Sequence, residues 1–471
     1  MLNHARGIRI SFVGGGSQSW APYIVRDIIL KDGLESVPME IRLVDIDLPR
    51  ARAIDALMRV KLADWNLKRP VTFIPTADTA KGLDGADFVV IAISTGRLPA
   101  MKNDLAIPER YGVYHTVGDT AGPGGWSRAW RNVPVFTALA REIRRRAPGA
   151  FVLNYTNPMA ALTRALADVL PSSRVVGLCH GLFQNLAYLQ KVFGLKSEKD
   201  LALRFAGLNH FFWILDFQVR GKDGYAELRK KMKKKSLGHI MKEAKADAMG
   251  HKSDRWFASE LFAHYGHLPY FGDRHTAEFF LSPMTNLGEQ KRLRLERTTI
   301  AQREKHYRDA ERRIRLWTQG RKADWGDFDP VPSRETAADI IRAITLGETF
   351  SDIVNQVNAG QIPNLPFDAV VETMGYVSKN GIFPQTVGCI PANLVPTMWQ
   401  HAECQTEIAR AAAVGDEAAA LETLAADPVC QHLSLAAIRK MGLELLAANK
   451  PFMPRRCAAA KPRSRTVARE G

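Results

Sequence analysis

Apolar and polar positions follow two rhythms along the first 200 residues. Six short apolar runs end in turn residues: RISFVGGG (9–16), IRLVDID (41–47), VTFIPTAD (71–78), DFVVIAIST (87–95), AFVLNYTNP (150–158) and RVVGLCHG (174–181). Apolar residues at consecutive positions over this length predict strands covered on both faces. Between them the spacing is helical, as in PYIVRDIILKDG (22–33), ARAIDALMRVKLADW (51–65), VPVFTALAREIRRRAP (133–148) and MAALTRALADVL (159–170). Strand and helix in alternation predict an α/β fold, a Rossmann-like, doubly wound and mostly parallel sheet.

The rhythm changes near residue 200. LRFAGLNHFFWILDFQVRG (203–221) predicts one or two longer strands outside the alternation, followed by a basic helical stretch, a His-, Gly- and Pro-rich loop (264–275) and charged helices around 286–319. WGDFDPVPSRE (325–335) reads as a linker, and NLPFDAVVETMGYVSKNGIFPQTVG (364–388) as a strand or two before further helices. The expected organisation is a dinucleotide-binding domain over 1–200, a second α+β substrate domain over 201–453, and a basic disordered tail over 454–471.

Composition narrows the class. The chain has 471 residues, 46% hydrophobic and 24% charged, as in globular proteins. No apolar run is long enough to span a membrane. The N-terminal MLNHARGIRISFVGGGS has no apolar signal segment, and Cys179, Cys389, Cys404, Cys430 and Cys457 are too scattered for a disulfide framework. A reducing, cytoplasmic setting is expected. The net charge of +16 raises nucleic-acid binding, but RKKMKKK (229–235) and the tail hold most of the excess, so neither nucleic acid nor membrane is expected as a partner.

The candidate chemistry lies at the strand ends. GGGSQS (14–19) follows the first strand; Gly14, Gly15, Gly16 and Ser17 permit a tight turn and close approach of a pyrophosphate. Asp45 ends the second strand, where a carboxylate accepts both ribose hydroxyls and favours NAD over its 2′-phosphorylated form. Further along come Asn154 and Asn157, Cys179 and His180, and Asn209 and His210. A thiolate from Cys179 and an imidazole from His210 make a partial metal shell with open positions. On spacing alone, a buried filler cysteine and a core histidine fit as well.

FVGGGSQSW, LVDIDLPRA, VGDTAGPGGWSRAWRNVP, NYTNPM, GLCHG, GLNH and VVET with NGIFPQTVG occur in this order over roughly residues 8–450. In this set the sequence resembles glycoside hydrolase family 4, NAD- and metal-dependent glycosidases related in fold to lactate and malate dehydrogenases. The resemblance implies NAD at Gly14–Ser17 and Asp45, with Asn157 against cofactor and sugar. It implies a divalent ion, usually Mn2+, on Cys179 and His210, and redox elimination as the activity: oxidation at C3, deprotonation at C2, elimination at C1, addition of water and re-reduction. His180 is the candidate general acid, since Cys-His-Gly resembles members acting on α-linked uronic acids, with α-glucuronide slightly ahead of α-galacturonide. For the base, HYGHLPYFGDRHTAEFF (264–280) offers Asp273 first, then Tyr265, with Tyr270 and His275 beside them. Asn209, Asp119, Arg131, Arg274 and His275 are expected at the substrate, with Arg128, Arg131 and Arg274 as cations for a C6 carboxylate. A homodimer or homotetramer is expected.

Two other activities remain open on this reading: an α-glucosidase or α-galactosidase of the same family, and an NAD-dependent hydroxy-acid dehydrogenase, which would need no thiolate-bound metal.

Overall fold

In a computed structural model of the protein, residues 7–245, 255–321, 328 and 333–454 are described. The strands are β1 (Ile8–Val13), β2 (Met39–Val44), β3 (Val71–Thr76), β4 (Phe88–Ile91), β5 (Phe151–Asn154), β6 (Val175–Gly177), β7 (Leu201–Leu208), β8 (Phe211–Val219), β9 (Lys222–Asp223), β10 (Leu268–Pro269), β11 (Phe350–Val357), β12 (Val370–Ser378) and β13 (Gly381–Pro384). They form one 13-stranded sheet in the order β10-β8-β7-β12-β11-β6-β5-β4-β1-β2-β3, with β13 on β12 and β9 on β8.

The first six strands pair in parallel in the order 3-2-1-4-5-6, the doubly wound arrangement. Their sequences explain their places. β4 is buried at all four positions, and its residues alternate between two cores. Phe88 and Val90 join Ile10, Phe12, Ile41 and Ile340 on one face; Val89 and Ile91 join Val133, Phe136 and Leu162 on the other. β3 is half exposed and tolerates Pro75, as an edge strand can.

Beyond β6 the sheet turns antiparallel. β6 meets β11 through one pairing, Asn355 with Gly177, and β12 meets β7 through Glu372 with Gly207. The region after residue 200 therefore adds its strands to the same sheet. β7 and β8 form a hairpin, and its aromatic residues again divide between faces, Phe205, Phe212 and Ile214 against Phe211 and Trp213.

The basic run 229–235 forms the end of the helix Gly224–Lys231 and a following turn, with its lysines in solvent. The tail from 455 onward and most of the linker 325–335 lie outside the described residues. No described helix is long and apolar enough to cross a membrane.

Candidate active site

The carboxyl ends of the parallel strands carry the expected glycine turn. Gly14 and Gly15 both donate to Val44 O, at 2.8 and 3.0 Å. Gly14 has φ 93, and a Cβ there would lie 2.2 Å from Ala92 O, so only glycine fits. Asp45 braces this turn: Oδ2 accepts from Gly16 N (2.9 Å) and Oδ1 from Asp47 N (2.9 Å). Each oxygen keeps a lone pair for another donor. The first helix starts at Ala21, so a short turn carrying Ser17 separates the glycines from it.

Across the sheet, His210 sits in the two-residue turn between β7 and β8, at φ 64. Non-glycine residues seldom hold this conformation, which costs roughly 1–3 kcal/mol and clusters at functional sites. Thr120 Oγ1 lies 3.0 Å from His210 Nδ1, leaving Nε2 to face the site. The ring lies parallel to Tyr270, with centroids 5.8 Å apart, and 4.1 Å from the ring of His275. A carboxylate oxygen of Asp119 and ring nitrogens of His210 and His275 all fall within 4.8 Å of one another.

Burial sets the protonation of this trio. It lowers the His210 imidazole to about 4, against the pull of Asp119, and lowers His275 as well, with His210 adding to the effect. Both rings are therefore neutral near pH 7. Burial acts to raise the Asp119 carboxyl, but His275, His210, Arg128 and Arg303 outweigh it and hold it well below the usual carboxylate range. Asp119 Oδ1 accepts from Thr120 Oγ1 (2.8 Å) and lies 3.9 Å from His275 Nδ1.

Cys179 and His180 follow β6. Burial, then Glu372, push the Cys179 thiol up, so it stays protonated without a cation beside it. Glu372 is itself pushed by burial up to about 7, although Asn209 and Asn355 each donate to its Oε2 at 2.9 Å. His180 Nδ1 lies 2.9 Å from Glu335 Oε1. Burial opposes the charged imidazole, but the hydrogen bond and charge of Glu335 prevail and raise it above the ordinary histidine value. Several buried polar atoms near these residues have no partner among the described residues: Asn157 Oδ1, Asn209 Oδ1, Glu372 Oε1 and His275 Nδ1. Unpaired buried acceptors are costly, and a cluster of them marks where a ligand belongs.

Three expected residues take other places. Asp273 is fully buried, and its carboxylate accepts from the backbone N–H groups of Arg255 (2.9 Å), Phe257 (2.7 Å) and Ala258 (3.0 Å). It ties down the start of the helix Trp256–Tyr265, and a carboxylate so saturated is a poor base. Tyr265, at the other end of that helix, packs edge-on against Trp213 at 5.1 Å, and no described contact joins it to His210 or His275. Arg131 is fully buried; it grips Asp104 with two N–H groups (2.7 and 2.6 Å) and donates to Thr95 O and Asn449 Oδ1. Its donors are spent inside the protein, so it holds no substrate carboxylate. Arg128 donates to Asn157 O (2.9 Å) and thereby supports the asparagine from behind. Arg274 makes no side-chain hydrogen bond or ion pair among the described residues.

Glu335, Glu372, Thr120 and Arg303 belong to the site but were absent from the expected set. Glu335 closes the segment read as a linker. The acid of VVET and the threonine of VGDT lay within quoted motifs, but only their spatial partners give them meaning.

Comparison with known proteins places this geometry. The family 4 glycosyl hydrolase model matches residues 9–195, and the family 4 glycosyl hydrolase C-terminal domain model matches residues 205–430. An alpha-galacturonidase of Bacillus subtilis is 31% identical over 433 residues, covering 90% of this chain and 94% of that protein. An alpha-galactosidase of the same organism is 31% identical over 455 residues, covering 95% and 99%. The crystal structure of lplD from Bacillus subtilis superposes with TM-score 0.77 at 30% identity, covering 93% of this chain and 99% of that one. A 6-phospho-alpha-glucosidase from gut microorganisms, in complex with NAD and Mn2+, shares the fold at TM-score 0.74 and 21% identity, covering 95% and 99%. With both halves matched and the strand-end residues in place, the chain belongs to family 4 of the glycosyl hydrolases.

Proposed function

We propose that this glycoside hydrolase cleaves α-linked galacturonides by redox elimination, using NAD and a divalent ion, Mn2+ first. The observation that carries the reading is the convergence of Asp119, His210 and His275 within 4.8 Å, across the strand ends from the glycine turn. The residues fit both groups. The turn at Gly14–Gly16 admits no Cβ, and Asp45 stands beside it with free lone pairs. His210 presents Nε2, with the Cys179 thiol, Asn157 Oδ1 and Asn209 Oδ1 as further donors. When bound, NAD supplies reversible oxidation at C3, and the metal supplies Lewis-acid polarisation of the C2 and C3 oxygens.

In this reading Cys179 and His210 hold the metal, and the base moves from Asp273 to His275. His275 is neutral and unpartnered at Nδ1, and Asp119 stabilises the imidazolium it becomes on taking the C2 proton. His180, whose charged form Glu335 favours, gives its proton to the departing oxygen at C1. Arg274, and Arg303 with its unpartnered buried Nε, are the cations with donors to spare for a C6 carboxylate. Residues 1–200 would carry the cofactor and 201–453 the base and the carboxylate contacts. The resemblance to alpha-galacturonidases moves galacturonide ahead of glucuronide. The equally similar alpha-galactosidase keeps a neutral α-galactoside as the second reading.

A panel of 4-nitrophenyl α-glycosides, assayed with NAD+ and Mn2+ under reducing conditions, tests the substrate. The galacturonide is expected to lead in kcat/KM. A neutral or 6-phosphorylated sugar ahead by tenfold, about 1.4 kcal/mol in the barrier, would end the uronide assignment. His275→Gln separates base from ligand. As a base it loses kcat and keeps Mn2+ affinity, whereas a metal held by the whole Asp119, His210 and His275 trio would lose affinity.

A further inference from the structure

Asp119 and His275 come from distant parts of the chain, and one buried carboxylate joins the two segments that carry them. Glu278 lies three residues after His275, in the continuation of the same short helix, and is fully buried. Its Oε1 accepts from Val117 N (2.8 Å) and Gly118 N (2.7 Å), with Thr116 Oγ1 at 3.4 Å. His115 Nδ1 stands 3.1 Å from the same oxygen. Gly124 N donates to His115 Nε2 at 2.9 Å, so that nitrogen is the acceptor and the ring proton sits on Nδ1, directed at Glu278. Three donors from residues 115–118 thus converge on one oxygen, and Asp119 is the next residue.

The loop is held tightly on its other sides. Gly118 has φ 79, and a Cβ there would lie 2.3 Å from Leu105 Cδ2. A Cβ on Gly125, in the first turn of the helix Gly122–Arg146, would lie 2.4 Å from the carbonyl carbon of Thr120. Thr116 Oγ1 also donates to Arg274 O, a second tie to the His275 segment.

We propose that Glu278, oriented by His115, is a positioning residue that sets the separation between Asp119 and His275. It rests on the reading of His275 as the base. A change in the reach of this carboxylate moves Asp119 relative to the imidazole without touching the glycine turn.

The test compares Glu278→Asp with Glu278→Gln, using 4-nitrophenyl α-D-galacturonide with hydrogen or deuterium at C2. Aspartate shortens the brace by one methylene, about 1.5 Å. Displacement by an ångström at a reacting group costs on the order of 100-fold, so Glu278→Asp is expected to lose kcat by about that factor. KM and the NAD+ Kd should stay within about threefold, and the C2 isotope effect should rise as proton removal becomes rate-limiting. Glu278→Gln keeps an acceptor at full reach and should stay within about tenfold of the parent kcat. Should Glu278→Asp not fold, Thr116→Val removes the tie to Arg274 O, the second link between the two segments, at constant shape. It is expected to lower kcat about fivefold with the same rise in isotope effect. Unchanged kcat in Glu278→Asp, or equal losses in both Glu278 variants with an unchanged isotope effect, would overturn the proposal. His275→Ala, measured alongside, keeps the two readings apart: normal turnover there would overturn the base assignment itself.

Discussion

At the scale of single residues, the protonation of His180 is set by one partner. His180 is raised because Glu335 accepts from Nδ1 and carries charge, against the opposing effect of burial. In the proposed role of general acid His180 works while protonated, so activity is expected to fall as pH rises through its pKa. Glu335→Gln removes the charge, and the alkaline limb of kcat/KM is expected to move to lower pH by on the order of one unit; a limb that stays in place would remove Glu335 from this role. Asp352 shows the opposite case of an acid with no cation near it. Burial pushes it up to about 7 although Thr336 and Ile353 N donate to it. Between about pH 4 and 7 the native state then holds a proton that the unfolded chain has lost, so stability falls as pH rises through that window. The site contributes at most about 4 kcal/mol of this slope. Asp352→Asn should flatten the dependence of Tm on pH between about 4 and 7, and an unchanged slope would contradict the assignment. The residues that could be found in the sequence were those at strand ends in recognisable motifs, such as His180 and His210. Glu335 and Thr120 act on histidines 155 and 90 positions away. Such pairs exist only once the sheet has formed.

At the scale of elements, the strands that could be read were those whose two faces are both apolar. β11, FSDIVNQV, presents no such run, because buried Asp352, Asn355 and Gln356 interrupt it. Those polar residues are needed where the parallel and antiparallel halves meet. Gln356 Nε2 donates to the carbonyls of Ser172, Val175 and Ile382, and Asn355 Nδ2 donates to Gly177 O and Glu372. The helix Gly122–Arg146 shows the converse error. Its arginines at 128 and 131 look alike in sequence, but Arg131 is drawn inward onto buried Asp104. Arg131→Met leaves that carboxylate buried without its cation, which typically costs about 3–5 kcal/mol. The expected result is a large fall in Tm with KM unchanged in the protein that folds, and Asp104→Asn added to it should recover part of the loss. A raised KM at unchanged Tm would return Arg131 to the substrate.

At the scale of the molecule, one continuous sheet brings two kinds of strand end together. The parallel half presents the glycine turn, Asp45 and Cys179; the antiparallel half presents His210 in a hairpin turn and Glu372 beside it. The alternation of strand and helix made the first half legible, and the ordered motifs made the family legible. The arrangement of the second half was not, since its short helices and single-residue strand pairings depend on distant partners. On the proposed reading the assembled site is a redox centre in a hydrolase, so enzyme stripped of NAD+ should be inactive, recover on its return and accumulate no NADH. Turnover by fully stripped protein would place the chemistry elsewhere. The most direct measurement is hydrolysis of 4-nitrophenyl α-D-galacturonide in D2O, with the product sugar examined by NMR. If the C2 proton is removed by His275 and replaced from solvent, the released galacturonate carries deuterium at C2. Release of sugar with protium retained at C2 would contradict redox elimination.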